Sequence, residues 1–202
     1  MTVIESKSLT KRDHYKLMTS IITPRPIAFV SSLSEEGVLN VAPFSYFSII
    51  SADPPLVSVS IGRKGTEQKD TARNIVGKKQ FVVHVTTEEN VEKANESAAN
   101  LAPDESEAER AELEPVLSHF IDVPGIRESP VRMECELYAH HVIEGEDATT
   151  DLIIGKIVAY HVEEKLLIDN NVVDTGNLKP VSRLGGTSYA KLGKQFSLER
   201  PK

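Results

Sequence analysis

The stretch from Pro24 to Ile75 constrains the fold more than any other part of the chain. It reads PRPIAFVSSLSEEGVLNVAPFSYFSIISADPPLVSVSIGRKGTEQKDTARNI, strand-like segments broken by prolines and closing on a basic turn. Ile27, Phe29 and Ser31 alternate with Ala28, Val30 and Ser32 in a mostly apolar run, the pattern of a strand buried on both faces. Ser34-Glu35-Glu36-Gly37 turns the chain back. A second strand runs from Val38 through Asn40 and Val41 into Ala42-Pro43, where proline removes a ladder donor and bends the path, as at a barrel rim. After Asp53-Pro54-Pro55, LVSVSI alternates strictly, with Leu56, Ser58 and Ser60 on one face and Val57, Val59 and Ile61 on the other. The small hydroxyls are expected to face something close-fitting. Strands ending at Ala42, Pro43 and Ser45, followed by Arg63, Lys64 and a helix start, suit a flat apolar ring and a phosphate held together.

The phosphate end has an electrostatic basis. Residues 63–79 carry six basic side chains (Arg63, Lys64, Lys69, Arg73, Lys78, Lys79) against Glu67 and Asp70, a local +4 in a chain of net charge -7. Arg63, Lys64, Lys69 and the free N–H groups around Thr71 would draw an anion. Asp70 or Thr71 is the expected N-cap, and Gly77 the expected left-handed stop.

Further along, QFVVHV at 80–85 reads as a strand. Thr86 and Glu89 match a capping box for a helix to about Ala99, and Pro103-Asp104 opens a second helical stretch. Residues 88–114 hold ten acids against Lys93 and Arg110, which reads as a solvated helix face. VRMECELYAHHVI places Val131, Met133, Cys135, Leu137, Ala139, His141 and Ile143 on one side of a long strand. DLIIGKIVAYHVEEKLLI supplies another strand or two. About six strands with two or three helices inserted mid-chain suggest a closed barrel. From Asp174 onward, a Gly-rich tail with little periodicity is expected to pack as an ordered loop.

The rest of the sequence mainly excludes. With 202 residues, one domain spanning 1–202 is expected. The acidic balance argues against a nucleic-acid partner. No run approaches the roughly 20 apolar residues of a membrane span and the start lacks an apolar signal core, so a cytoplasmic, non-membrane protein is expected. Cys135 is the only cysteine, excluding an internal disulfide or a CxxC motif, and it reads as a buried small hydrophobe. The six histidines, at 14, 84, 119, 140, 141 and 161, show no HxxxH spacing, so no metal is expected, and adjacent His140 and His141 point to opposite strand faces. GRKG is not a Walker loop, and neither GxGxxG nor GxSxG occurs. No side-chain nucleophile or catalytic residue is visible, so redox chemistry would need a bound cofactor.

Taken in order, PRPIAFVSS, Asn40 to Ser45, SADPPLVSVSI, KDTARNI, ESPVRMECEL, LIIGKIVAYHV and RLGGTSY resemble the flavin reductase-like family of FMN-binding split barrels, especially its flavoredoxin-like branch. The resemblance covers nearly the whole chain. It implies a mainly β, six-stranded antiparallel Greek-key split barrel and a homodimer with one FMN per subunit at the interface. It further implies that Asn40, Ala42, Pro43, Phe44 and Ser45 meet the isoalloxazine. Ser31, Ser32, Ser58 and Ser60 would lie near the ribityl chain or phosphate. Arg63, Lys64, Lys69 and Thr71 would receive the phosphate, with Arg183 and Tyr189 completing the pocket or the subunit contact. The implied activity is NAD(P)H-dependent flavin reduction, with NADH or NADPH as a transient co-substrate, hydride passing to FMN N5, and reduced flavin or electrons going to a partner such as a monooxygenase. The alternative is a flavoredoxin-type electron carrier without nicotinamide turnover. Many reductases of the broad family carry Gly-Asp-His just before the strand LIIGKIV. Here Thr150 takes the histidine's place, after Glu146 and Asp147, as is common in the flavoredoxin-like branch.

Overall fold

The computed structural model describes residues 1–99, 105–169 and 171–201. In chain order its elements are α1 (Lys11–Ile21), β1 (Arg25–Pro26), β2 (Ala28–Leu33), β3 (Leu39–Phe44), β4 (Phe47–Ala52), β5 (Pro55–Gly62), α2 (Asp70–Lys78), β6 (Gln80–Val85), α3 (Val91–Glu96) and α4 (Glu107–Arg110). There follow β7 (Pro115–Val116), β8 (Gly125–Ile126), β9 (Val131–Glu144), β10 (Thr149–Val162), β11 (Leu167–Ile168), β12 (Val172–Val173), α5 (Thr175–Leu178), β13 (Val181–Arg183) and β14 (Tyr189–Lys191).

Connectivity dictates the barrel. The main antiparallel sheet has the order β3-β2-β6-β9-β10-β5-β4, so β3 and β4 are its two edges. Yet only Ser45 and Tyr46 separate Phe44, the end of β3, from Phe47, the start of β4. A sheet whose opposite edges are joined by two residues cannot lie flat; it must curl until the edges meet. Phe44 accordingly packs inside with Val57, Val59, Ile61, Phe81, Val83 and Ile153. The mainly β split barrel expected from the sequence is what forms. Its main sheet gains β4, a segment the alternation did not reveal, as a continuation of β3 around that corner.

Period-two alternation assigns the two faces. On β2, Ala28 and Val30 point into the barrel, whereas Phe29 joins Val41, Ala94, Ala108, Leu113 and Ile126 in a second core outside it. That explains why Ala28 to Ser32 are all buried. Helix α2 inserts Ala72 and Ile75, three apart on one face, into the barrel interior, with Val76 beside them. Gly155 on β10 lets Phe81 lie against the strand, since a Cβ there would come 2.3 Å from Phe81 Cζ.

Several local expectations need correction. The β3 ladder runs through Pro43, which pairs with Phe29, and Phe44 still pairs with Ala28. An edge strand bonds on one side only, so proline's missing N–H is tolerated there, and the break falls instead at Ser45–Tyr46. Helix α2 has Lys69 as N-cap and stops at Lys79 in the left-handed region (φ 61), with Gly77 inside the helix. The Thr86–Glu89 capping box does not form: α3 starts at Val91, because the Thr86 carbonyl accepts from Val181 N and Thr87 bridges Pro180. Pro103 and Asp104 lie outside the described residues; α4 begins after Ser106, whose hydroxyl accepts from Glu109 N. The tail is more regular than expected, with β13 and β14 forming a small sheet with β1.

Candidate functional site

Two cavities meet across Pro43. The larger, about 390 Å³, has Asn40, Ala42, Pro43 and Phe44 as one wall, Lys64 and Glu67 to Thr71 as the other, and Ser97 to Ala99 with Glu107 over it. The smaller, about 220 Å³, lies against Pro43, Ser45, Ala94, Asn95 and Ala98, and is closed by Tyr15, Arg25, Arg183 and Tyr189. Pro43 and Ala98 line both, which makes them two halves of one groove crossing β3.

The first half brings the start of α2 together with Lys64 and Lys69, beside Glu67, Asp70 and Glu107. No side chain caps α2, so the N–H groups of its first turn are available where the helix dipole is positive. The Lys69 ammonium sits 5.9 Å from the centre of the Phe44 ring, beside that terminus. Lys64 is held by paired backbone bonds with Glu67, at 3.0 and 3.1 Å. Behind the wall runs a buried polar chain. Thr71 Oγ1 and Ser32 Oγ donate to Asn40 Oδ1 at 2.7 and 3.2 Å, Asn40 Nδ2 donates to Glu107 Oε2 at 2.8 Å, and Asn74 Nδ2 reaches Ser32 Oγ at 3.4 Å. Burial pushes the Glu107 carboxyl above its ordinary value, only partly offset by its own backbone N–H and by Asn40 and the Val41 N–H.

Arg63 serves another purpose. Its Nε and Nη2 donate to Asp151 Oδ2 and Oδ1 at 2.9 and 2.8 Å, and its Nη1 donates to Thr66 O at 3.3 Å. Gln68 Nε2 and His140 Nε2 lie 3.0 and 2.8 Å from Asp151 Oδ1. Asp151 is fully buried on β10. Burial alone would raise its carboxyl, but Arg63, His140 and Gln68 outweigh that and hold it below the usual carboxylate range. Asp151 is therefore the post to which the 63–69 turn is tied.

In the second half, the Arg183 guanidinium lies 4.4 Å from the centre of the Tyr189 ring and donates to its hydroxyl, which donates in turn to Asn95 Oδ1 at 3.0 Å. Arg25 donates to Thr19 O and Leu184 O at 2.8 and 2.9 Å, joining the end of α1 to the tail.

The sequence-predicted residues thus divide. Asn40, Ala42, Pro43, Phe44, Lys64, Lys69 and Thr71 line the larger cavity, Pro43 and Ser45 the smaller, and Ser32 stands behind the wall through Asn40. Ser31 is turned away and donates to Pro124 O at 2.7 Å. Ser58 and Ser60 lie on β5 between β4 and β10, and line neither cavity within the single chain. Sequence reasoning missed Glu107, Asp151, Gln68, Arg25 and Tyr15. Glu107 was hidden in the acidic stretch read as a solvated face, yet it is 7% exposed. Only its place one residue after the Ser106 cap hinted at a fixed helix start.

A family profile described as "Flavin reductase like domain" matches residues 18–177. The chain belongs to the flavin reductase-like family. Among solved structures, nitrilotriacetate monooxygenase component B from Bacillus cereus is 50% identical, covering 98% of each chain with a TM-score of 0.95. The 2-nitrobenzoate 2-nitroreductase NbaA of Pseudomonas fluorescens is 34% identical over 99% of this chain and 96% of its own, with a TM-score of 0.88. A flavin reductase with a split-barrel domain from Shewanella frigidimarina, 21% identical over 96% of each chain at a TM-score of 0.83, shares the fold. The flavin reductase-like match takes in both halves of the groove except Tyr15, Arg183 and Tyr189, which lie outside residues 18–177.

Proposed function

We propose that the chain is an FMN-dependent oxidoreductase, an NAD(P)H:flavin reductase that supplies reduced flavin or electrons to a partner such as a monooxygenase. The observation carrying this reading is the uncapped start of α2 beside Lys69 and Thr71, at one end of a groove whose other end is walled by Pro43 and Ser45. A phosphate needs the first feature and a flat ring the second, and the two halves adjoin at Pro43 and Ala98. FMN, when bound, supplies hydride acceptance from nicotinamide and onward electron transfer. The protein's task is to bind and orient. Lys69, Lys64 and the α2 N–H groups would hold the phosphate. Asp151 would keep the 63–69 turn in place through Arg63 and Gln68. The backbone from Ala42 to Ser45 would present N–H and C=O groups to the polar edge of the ring, with Arg183 and Tyr189 closing the far side. Similarity to a monooxygenase component supports the partner class.

Thr150 favours keeping the electron-carrier reading beside this one. It is paired with Gly62 and Ile143 inside the β10 ladder and lines neither half of the groove in the single chain. Anaerobic titration separates the two. The purified protein is expected to be yellow and to be bleached by NADH or NADPH. Persistent colour with both nucleotides would leave the carrier, and a protein that retains no added FMN would overturn both readings. The homodimer belongs to the same proposal, supported by Ile49 and Ile50 exposed on edge strand β4 and Ile21 and Ile22 at the end of α1. Sedimentation is expected to give twice the chain mass. Among the described residues no helix is long and apolar enough to cross a membrane, and a cytoplasmic setting fits a nicotinamide-dependent activity.

A further inference from the structure

Away from the groove, His119, Glu134 and His161 each offer one possible ligand atom, and the three atoms lie within 4.8 Å of one another. They come from three segments: the loop between β7 and β8, β9, and β10. Glu134 stands between Met133 and Cys135, which pack into the barrel interior, so its side chain leaves the barrel on the opposite face. It is nonetheless fully buried, because the loop folds over it and the N–H groups of His119 and Phe120 donate to Oε1 and Oε2 at 2.7 and 2.8 Å. His161 Nε2 lies 2.5 Å from Glu134 Oε1. The His119 and His161 rings are 5.0 Å apart at 41°, leaving the His119 side open to solvent.

We propose that His119, Glu134 and His161 form a binding site for a divalent transition metal of the zinc type, with the fourth position open to water. Two imidazoles and one carboxylate make a three-ligand zinc set, whereas calcium and magnesium prefer all-oxygen shells. The chain spacing of these residues carries no metal motif, which is why sequence alone gives no sign of it. Donor atoms around tetrahedral zinc stand about 3.3 Å apart, given Zn–N distances of about 2.0 Å. His161 and Glu134 therefore spread by less than a bond length, and the neutral His161 ring changes tautomer, losing the proton on Nε2 to solvent and taking one up at Nδ1, with no net release. Arg132, whose Nη2 is 3.5 Å from His161 Nδ1, turns aside as that nitrogen becomes the protonated one. The bound ion would pin the 117–123 loop, with Ile121 and Val123, to the outer face of the sheet.

The test is calorimetric titration of the tag-free, flavin-loaded full chain with zinc chloride after chelator treatment, alongside thermal unfolding. One ion per chain is expected, with a rise in melting temperature. His119→Ala, at an exposed position, is expected to keep the fold and flavin content while lowering zinc affinity at least tenfold and abolishing the thermal shift. His161→Gln is expected to do the same while still able to donate to Glu134. Absence of saturable binding, or affinity unchanged in His119→Ala, overturns the site and leaves Glu134–His161 as a hydrogen-bonded anchor for the loop.

Discussion

Lys69 occupies a junction: its backbone is the N-cap of α2, and its ammonium lies against the Phe44 ring. A charge-assisted hydrogen bond is worth about 1.5 to 3 kcal/mol. Lys69→Ala is therefore expected to weaken FMN roughly tenfold or more and to leave riboflavin, which has no phosphate, unaffected. Flavin fluorescence quenching measures both, and equal losses would move the phosphate elsewhere. Glu107 acts in the opposite sense. Its raised carboxyl faces the same cavity as Lys64, Lys69, Glu67 and Asp70. Ionised, it repels a phosphate, so FMN affinity is expected to rise as pH falls through the Glu107 pKa. Glu107→Gln should tighten FMN at neutral pH and flatten that dependence; an unchanged profile would assign it to Glu67, Asp70 or the phosphate itself. At this scale Lys64, Lys69 and Thr71 were legible because charge and helix-start chemistry are local. Arg63 shows the limit: nothing near it in sequence announces Asp151, 88 residues away.

Strands β9 and β10, with 14 residues each, carry the barrel wall. Their ladder shifts register between Ile154 and Gly155, where Tyr138 of β9 is the extra residue and Phe81 lies close to Gly155. Gly155→Ala would put a methyl into that ring, and overpacking of this kind costs about 1 to 3 kcal/mol. Urea unfolding is expected to show a loss of that size, whereas Gly62→Ala, where nothing lies within 4 Å of the added methyl, should be nearly neutral. The alternation of β5 was readable because it keeps one face in the core, whereas on β9 it holds only as far as Leu137: Tyr138 is an extra residue against β10, and beyond it Ile143, expected on the inward face, is exposed. β4 was not, because Ile49 and Ile50, both exposed, break its period-two pattern. The helix α3 start was misread for a related reason: Thr86 and Glu89 have the right spacing, but the tail takes the backbone of that segment first.

For the whole molecule, the buried histidine at 84 sets part of the response to acid. It is fully buried, its Nδ1 bonded to Phe29 O and its Nε2 accepting from Ile126 N, each at 2.8 Å, so it joins β2, β6 and the β8 loop as a neutral ring. Burial lowers its pKa from 6.5 to about 4, with the Phe29 carbonyl opposing. The unfolded chain takes up this proton below 6.5 while the folded chain refuses it until about 4, so the contribution is whole above 6.5 and lost as pH falls through that window. At about 1.4 kcal/mol per unit, the loss is about 3 kcal/mol. Urea unfolding at several pH values is expected to trace it, and His84→Gln, with nothing to titrate there, should remove that part of the slope. By itself the sequence determined the faces of β2 and β5, the basic turn, the presence of a helix after it and the family order of motifs, all of which rest on neighbours a few residues apart. Tertiary structure alone decided that Arg63 belongs to Asp151, that an acid from a seemingly solvated stretch enters the groove, and that His119, Glu134 and His161 come together on the outer wall. Those depend on which strands become adjacent when the two sheet edges, joined by Ser45 and Tyr46, force the barrel to curl.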